Sequence, residues 1–165
     1  MDEFFFSGST TSKLDTKNRF VLPQHMRYGL VEEGRLEFFI GLGLGGCLAI
    51  YRRSEIQKIV EKFRKKQHVG QYQKFFTLFF STLHGSTCDK IGRVTLPNHL
   101  KQAMNIKREI VVAGVLHKIE LWSKEAYDKN LSNLLSGKDS ELDLAKMTED
   151  AFALLEEEDG NNKED

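Results

Sequence analysis

The pattern of apolar and polar positions divides the chain into short β-prone runs separated by helical segments. Runs of five or fewer residues rich in β-branched, aromatic and leucine side chains predict strands. Two of these runs stop at a proline, which cannot continue a central strand. The predicted strands are Phe20–Leu22, Leu36–Ile40, Cys47–Tyr51, Val94–Leu96, Glu109–Ala113 and Lys118–Trp122.

Between the two sets of strands, apolar residues recur at helical spacing. Ser54–Gln57 has the form of a capping box, in which a serine at the N-cap accepts an N–H of the first helical turn. Ile56, Ile59 and Phe63 follow on one face. The run Tyr72–Leu83 is apolar over a wide arc, so we expect a helix that is buried between parts of the chain or between subunits.

The chain contains an internal repeat at a constant offset of 74 residues, which relates residues 15–26 to residues 89–100. A second similarity, between Leu48–Tyr51 and Ile119–Trp122, follows downstream. Two copies are too few for a solenoid, and each half is too small to fold alone, so we expect them to share one core. The identical pairs are Asp15/Asp89, Arg19/Arg93, Leu22/Leu96, Pro23/Pro97 and His25/His99.

Each copy of the repeat predicts a tight turn that presents an arginine. The residue before the arginine is Asn18 in the first copy and Gly92 in the second, and these residue types best tolerate a positive φ. A planar guanidinium can bind guanine bidentately or hold a phosphate. Alternatively, Arg19 and Arg93 could serve only as ion-pair partners of the aspartates four residues before them.

The net charge of zero hides a strong asymmetry along the chain. Residues 131–165 contain three Lys/Arg and eleven Asp/Glu, a net charge of −8. Because the whole chain has 24 of each kind, residues 1–130 keep 21 basic and 13 acidic residues, a net charge of +8. A basic body favours a polyanionic partner, and we expect the acidic residues Glu156–Asp165 to be disordered.

The duplicated Asp-x-x-x-Arg motif, followed each time by a short β run and a proline, resembles the MraZ family of bacterial transcriptional regulators. The resemblance covers roughly residues 8–130. It implies a β-rich α+β fold, a pseudo-twofold swapped-hairpin barrel built from two AbrB/SpoVT-like halves with connector and C-terminal helices. The implied halves are residues 8–55 and residues 84–127. A helical connector, residues 56–83, joins them, and a helical then acidic tail follows at residues 128–165.

The same resemblance implies a sequence-specific DNA-binding regulator rather than an enzyme, acting on direct repeats upstream of the division and cell-wall gene cluster. Its implied partners are double-stranded DNA and further copies of the chain in a ring-shaped homo-oligomer, in the cytoplasm at the nucleoid. No cofactor, metal, membrane or small-molecule effector is expected. The implied DNA-binding residues are Lys17, Arg19, Lys90 and Arg93, and the implied turn partners are Asp15, Asn18, Asp89 and Gly92.

Other functional classes have weaker support in the sequence. Asp15 and Asp89, one from each half, could form an aspartic-protease dyad, but a cation four residues after each one would keep both ionised. The segment Gly41–Gly46 matches the dinucleotide pattern G-x-G-x-x-G, yet a strand-like run follows it where a helix is required. An oligomeric scaffold and a DNA-binding protein without sequence preference remain alternatives.

The remaining polar and sulfur-containing residues predict structural roles. His25 and His99 lack neighbouring ligands at zinc spacing, so we expect structural, hydrogen-bonded histidines. Cys47 and Cys88 are far apart without a C-x-x-C context, which predicts free, mostly buried thiols. Clustered aromatic residues, Phe4–Phe6 among them, predict a core or a subunit interface.

Overall fold

The computed structural model describes residues 4–136 and 144–161 and divides the chain into two compact units, Met1–Lys124 and Glu125–Asp165. The first unit is rich in antiparallel sheet, which confirms a mixed, β-rich fold. Its strands are β1 (Ser9–Lys13), β2 (Arg19–Val21), β3 (Val31–Glu32), β4 (Arg35–Leu36), β5 (Phe38–Leu42), β6 (Leu48–Arg52), β7 (His84–Ser86), β8 (Arg93–Thr95), β9 (Glu109–Val115) and β10 (Lys118–Ser123). Its helices are α1 (Gln24–Leu30), α2 (Arg53–Arg64), the short 3-10 helix Gly70–Tyr72, α3 (Gln73–Thr82) and α4 (Asn98–Ala103).

Six strands form one antiparallel sheet in the order β1-β9-β10-β6-β5-β7. Four of the predicted strands are confirmed as β5, β6, β9 and β10, which pair as the hairpins β5–β6 and β9–β10. These hairpins lie side by side, with Ile50 opposite Ile119 where β6 meets β10. The outer strands cross between the halves, because β1 pairs with β9 and β7 pairs with β5. Both edge strands are short and polar, which suits strands that leave backbone groups unpaired.

Two shorter strand pairs complete the first unit. β2 and β8, the strands that follow the repeated turns, pair with each other as a two-stranded ribbon. β3 and β4 form a small hairpin between α1 and β5. The ribbon therefore joins the first copy of the repeat directly to the second.

One hydrophobic core is shared by both halves. Phe20 and Leu22 from the first half pack with Val94 and Leu96 from the second, and all four side chains are almost completely buried. The hairpin strands supply Ile50 and other buried residues to the same cluster. A shared core is what two halves need when neither can bury enough apolar surface alone.

A second, smaller apolar cluster lies around helices α2 and α3. Ala49 and Tyr51 of β6 pack there with Ile56 of α2 and Phe79 of α3. Burial raises the pKa of the Tyr51 hydroxyl to about 12, and this hydroxyl donates a hydrogen bond to the Leu42 carbonyl at 2.6 Å. The predicted helix over Tyr72–Leu83 is confirmed in α3, although Phe75, Leu78 and Phe80 remain exposed.

The predicted capping box at Ser54–Gln57 is wrong. Helix α2 begins two residues earlier than this box predicts, with Arg52 rather than Ser54 at the N-cap and no side-chain cap. Ser54 lies within the first turn, and its backbone N–H donates to the Glu32 carboxylate at 3.1 Å. A carboxylate from elsewhere in the fold satisfies this free N–H, so the local serine is not needed for it.

The aromatic run Phe4–Phe6 lies mainly in the core, which is one of the two locations that its clustering predicted. Phe6 is buried in the shared core, and Phe4 packs against Phe6 with ring centroids 5.1 Å apart. The guanidinium of Arg52 lies over the ring of Phe6 at 4.8 Å. Of the three rings, only Phe5 is largely exposed, so this run belongs mainly to the core.

The glycine-rich segment 41–46 forms a hairpin end, as its strand-like continuation predicted. Gly41 and Leu42 complete β5, and β6 follows where nucleotide binding would need a helix. Cys47 and Cys88 are free; Cys47 is buried and Cys88 is half-buried. Burial raises the pKa of the Cys47 thiol to about 12, which keeps it protonated and unreactive.

The second unit contains helices α5 (Lys124–Ser136) and α6 (Leu144–Asn161). The expectation of disorder from Glu156 onward is corrected up to Asn161, because these residues continue α6. Alanine, leucine and glutamate, which are good helix formers, dominate the preceding turns. Residues 162–165 lie outside the described residues. Within the described part of the chain, no helix combines the length and apolarity that a membrane crossing requires.

Candidate nucleic-acid interface

The first repeated turn is held together by the side chain of Asp15. One carboxylate oxygen accepts the backbone N–H groups of Lys17 and Arg19, each at 2.9 Å. The other carboxylate oxygen accepts a hydrogen bond from the Nε of Arg19 at 2.7 Å. Aspartate suits this position because its short side chain reaches the backbone of its own turn.

The second turn repeats this arrangement at the same offset. One oxygen of Asp89 accepts the N–H groups of Ile91 and Arg93 at 3.0 and 2.8 Å, and the other accepts the Nε of Arg93 at 2.6 Å. The backbone N–H of Arg93 is the main cause that lowers the pKa of Asp89, as that of Arg19 is for Asp15. Both aspartates are therefore partners of their own turns.

The residue before each arginine has left-handed backbone and is covered by a cation from the other copy. Asn18 has φ 57° and Gly92 has φ 95°. The side-chain Oδ1 of Asn18 accepts a hydrogen bond from the Nζ of Lys101 at 3.0 Å. A Cβ on Gly92 would lie 2.7 Å from the guanidinium carbon of Arg27, the end of a side chain that can move, so the φ of 95° is the main reason that glycine suits this position.

The two turns are joined through the β2–β8 ribbon. Arg19 lies opposite Thr95, and Val21 lies opposite Arg93. Side chains alternate across a strand, so these four point to one side while Phe20 enters the core. We call the outward side chains of Arg19, Val21, Arg93 and Thr95, together with the turn residues Lys17, Lys90 and Ile91, the ribbon face.

The ribbon face combines two partly exposed arginines with two exposed lysines at its ends. The side chains of Arg19 and Arg93 are 26% and 35% exposed, so each guanidinium reaches solvent while its Nε stays on an aspartate. Among the described residues, the terminal amino groups of these arginines have no hydrogen-bond partner. They can therefore donate to a bound molecule.

Sequence analysis missed two cations beside this face, Arg27 and Lys101. They lie on α1 and α4 and cover the turns of the opposite copies. The repeat could have identified them, because Arg27 and Lys101 are separated by the same 74 residues and directly follow the two matched segments. With Lys17, Lys90 and the two arginines, they make six cations around one short ribbon.

The ribbon does not assemble an aspartic dyad. Because β2 and β8 are antiparallel, the turns of Asp15 and Asp89 lie at opposite ends of the ribbon. Each carboxylate is hydrogen-bonded within its own turn, and the pKa of each is lowered. A shared proton needs adjacent carboxylates, one with a raised pKa, so the dyad hypothesis is wrong.

The repeated histidines make equivalent backbone contacts. The Nε2 atoms of His25 and His99 lie 3.3 Å from the carbonyl oxygens of Ser7 and Thr82, respectively. These contacts agree with the predicted structural role. In the part of the chain that the structure describes, no cluster of three or more ligand residues could hold a metal ion.

The aspartate contacts predict a pH-dependent stability. Since the pKa values of Asp15 and Asp89 are lowered from 3.8, their stabilising effect is complete above pH 3.8 and is lost as the pH falls through the lowered values. Asp15→Asn/Asp89→Asn should therefore melt below the wild type at neutral pH, and the difference should narrow in acid. Thermal denaturation followed by circular dichroism measures the melting temperatures of the variant and the wild type at each pH. A difference in melting temperature that does not depend on pH would contradict the stabilising role of the two aspartates.

Comparison with known proteins gives a consistent result across the two halves. A family model described as MraZ protein, antitoxin-like, matches residues 5–75 and again residues 79–153. The chain is also 33% identical over 125 residues to a transcriptional regulator MraZ of Lachnoclostridium phytofermentans, an alignment that covers 76% of this chain and 86% of that protein.

Proposed function

The chain belongs to the MraZ family, and we propose that it is a transcriptional regulator that binds double-stranded DNA through the ribbon face. MraZ is a family of transcriptional regulators, not of enzymes. We assign the DNA-binding surface to the ribbon face because six cations are concentrated around the paired turns. Such a surface attracts the phosphates on both sides of a DNA groove.

The geometry of the ribbon supports recognition of bases as well as phosphates. A two-stranded ribbon is narrow enough to enter the major groove of B-DNA. Asp15 and Asp89 hold the arginines by Nε, which leaves the terminal amino groups for the two acceptors on guanine. Arg19 and Arg93 are thus proposed to contact bases, while Lys17 and Lys90 contact phosphates.

The proposal includes a pseudo-twofold relation between residues 8–55 and 84–127, with residues 56–83 as connector and 128–165 as tail. The sheet order supports it, because β1, β9 and β10 from one edge correspond to β7, β5 and β6 from the other. Through the family resemblance, the proposal also includes a swapped-hairpin barrel. It further includes action in the cytoplasm on direct repeats upstream of the division and cell-wall gene cluster.

A competition gel shift tests this function. The purified protein is mixed with the DNA upstream of its own gene, and an excess of random duplex is added. We expect a complex that random DNA does not displace. A complex displaced equally by random DNA would indicate binding without sequence preference, and the absence of any complex would leave only a structural scaffold; either result contradicts the proposal.

We also propose that the chain forms a homo-oligomer, a ring larger than a dimer, through α2 and α3. Phe75, Leu78 and Phe80 of α3 and the adjacent Tyr72 are between 39% and 55% exposed, on the same helical segment as Phe79 of the smaller apolar cluster. Surfaces of this kind on a soluble chain mark interfaces. A patch that meets a different patch on the next copy can close a ring.

We expect Leu78→Glu to reduce the assembly. A carboxylate placed in a desolvated apolar contact is strongly unfavourable, whereas Leu78 is 55% exposed within one chain, so the fold should tolerate it. Leu44→Glu is the matched control, because Leu44 is 77% exposed at the β5–β6 hairpin end. Multi-angle light scattering measures the mass; a monomeric wild type at micromolar concentration would rule out the assembly.

A further inference from the structure

The two turns of the ribbon face differ at one equivalent position. Lys17 and Ile91 are separated by 74 residues, and the backbone N–H of each donates to the aspartate of its own turn. The turns therefore present these side chains from the same local backbone. Ile91 is 61% exposed, although isoleucine is uncommon in turns and gains stability when it is buried.

A second exposed apolar residue lies at the same end of the ribbon. Val21 is 45% exposed and sits opposite Arg93 in the strand pairing. Its equivalent in the other copy is Thr95, which lies opposite Arg19. The Arg93 end of the ribbon face thus has two apolar neighbours, Ile91 and Val21, whereas the Arg19 end has Lys17 and Thr95.

The major groove offers one apolar group to such a surface, the C5-methyl of thymine. Isoleucine and valine are branched at Cβ and have few rotamers, so they lose little freedom on contact. We propose that Ile91, with Val21, contacts thymine methyl groups next to the base pair that Arg93 contacts. The two halves of one chain would then recognise different base pairs, and the inference rests on the proposed DNA-binding function.

Replacing thymine by uracil in the DNA removes only the methyl group and so tests this contact. The probe is the DNA upstream of the protein's own gene, amplified once with thymidine and once with deoxyuridine triphosphate. We expect the wild type to bind the thymine duplex more tightly, by about fourfold for each methyl group that is buried. For Ile91→Ala this preference should fall by about the same factor, because affinity drops on thymine DNA and is unchanged on uracil DNA.

Lys17→Ala is the matched control, since it alters the equivalent position of the other turn. It should weaken binding to both duplexes equally and leave the thymine preference as in the wild type. The exposure of Ile91 predicts an unchanged melting temperature for Ile91→Ala. Both variants therefore report on DNA contacts rather than on folding.

Each outcome separates this inference from the function on which it rests. If Ile91→Ala keeps the full thymine preference, or loses affinity equally on both duplexes, the methyl contact is wrong while sequence-specific binding stands. If the wild type binds its upstream DNA specifically but does not distinguish thymine from uracil, the inference is also overturned. If the wild type shows no preference for upstream over random DNA, the proposed function itself fails.

Discussion

Arg19→Ala/Arg93→Ala should lower the affinity for upstream DNA by at least about thirtyfold while leaving the fold intact. Each bidentate contact to guanine contributes about 1–3 kcal/mol, and the two positions are separate enough to add. The turns should survive, because Asp15 and Asp89 keep their hydrogen bonds to two backbone N–H groups each. The ion pairs that are lost are partly exposed to solvent, and such pairs contribute little to stability.

Two further pairs of variants separate base recognition from turn stability. Arg19→Lys/Arg93→Lys keeps the charge but loses the planar fork, so it should restore non-specific affinity without restoring sequence preference. Asp15→Ala/Asp89→Ala should lower the melting temperature, because each turn loses the carboxylate that accepts its backbone N–H groups and the arginine Nε. If the arginine and aspartate variants instead lose stability and affinity together, the arginines serve only as turn partners.

Binding to DNA should weaken by about a hundredfold when the salt concentration is raised from about 50 to about 200 mM. Four cations around the ribbon face are not assigned to bases: Lys17, Lys90, Arg27 and Lys101. Each would displace close to one counterion, so a plot of the logarithm of affinity against that of salt concentration should have a slope of about −3.5. Contacts from additional subunits would make the slope steeper. Fluorescence anisotropy of a labelled duplex measures this dependence.

Removing one phosphate contact provides the control for the salt dependence. Lys17 is exposed in the first turn and has a peripheral place on the ribbon face. Lys17→Ala should therefore reduce the slope by about one and weaken binding to all sequences equally. A slope near zero for the wild type would mean that the basic body does not bind DNA through phosphate contacts.

The features that sequence predicted well depend on short-range signals. A positive φ at Asn18 and Gly92 follows from residue type, and the proline after each ribbon strand limits its length. The hairpins β5–β6 and β9–β10 follow from continuous apolar runs that are close in sequence. These local choices could be predicted to within about two residues.

The features that sequence did not predict depend on distant contacts. β1 is almost entirely polar and shows no alternation, so only its pairing with β9, about a hundred residues away, makes it a strand. The N–H of Ser54 is satisfied by Glu32, which no local motif indicates. Arg27 and Lys101 reach the opposite turns only because the ribbon brings the two copies together.

Photo-crosslinking from the ribbon face tests the central claim most directly. A benzophenone amino acid at Val21, which is exposed beside Arg93, should crosslink to the upstream duplex, and excess unlabelled upstream DNA should suppress the product. The same group at Leu44, which is 77% exposed at the β5–β6 hairpin end, is the control and should give no DNA adduct. A protein that binds the duplex specifically but crosslinks from position 44 and not from position 21 would contradict the assignment of the ribbon face as the DNA-binding surface.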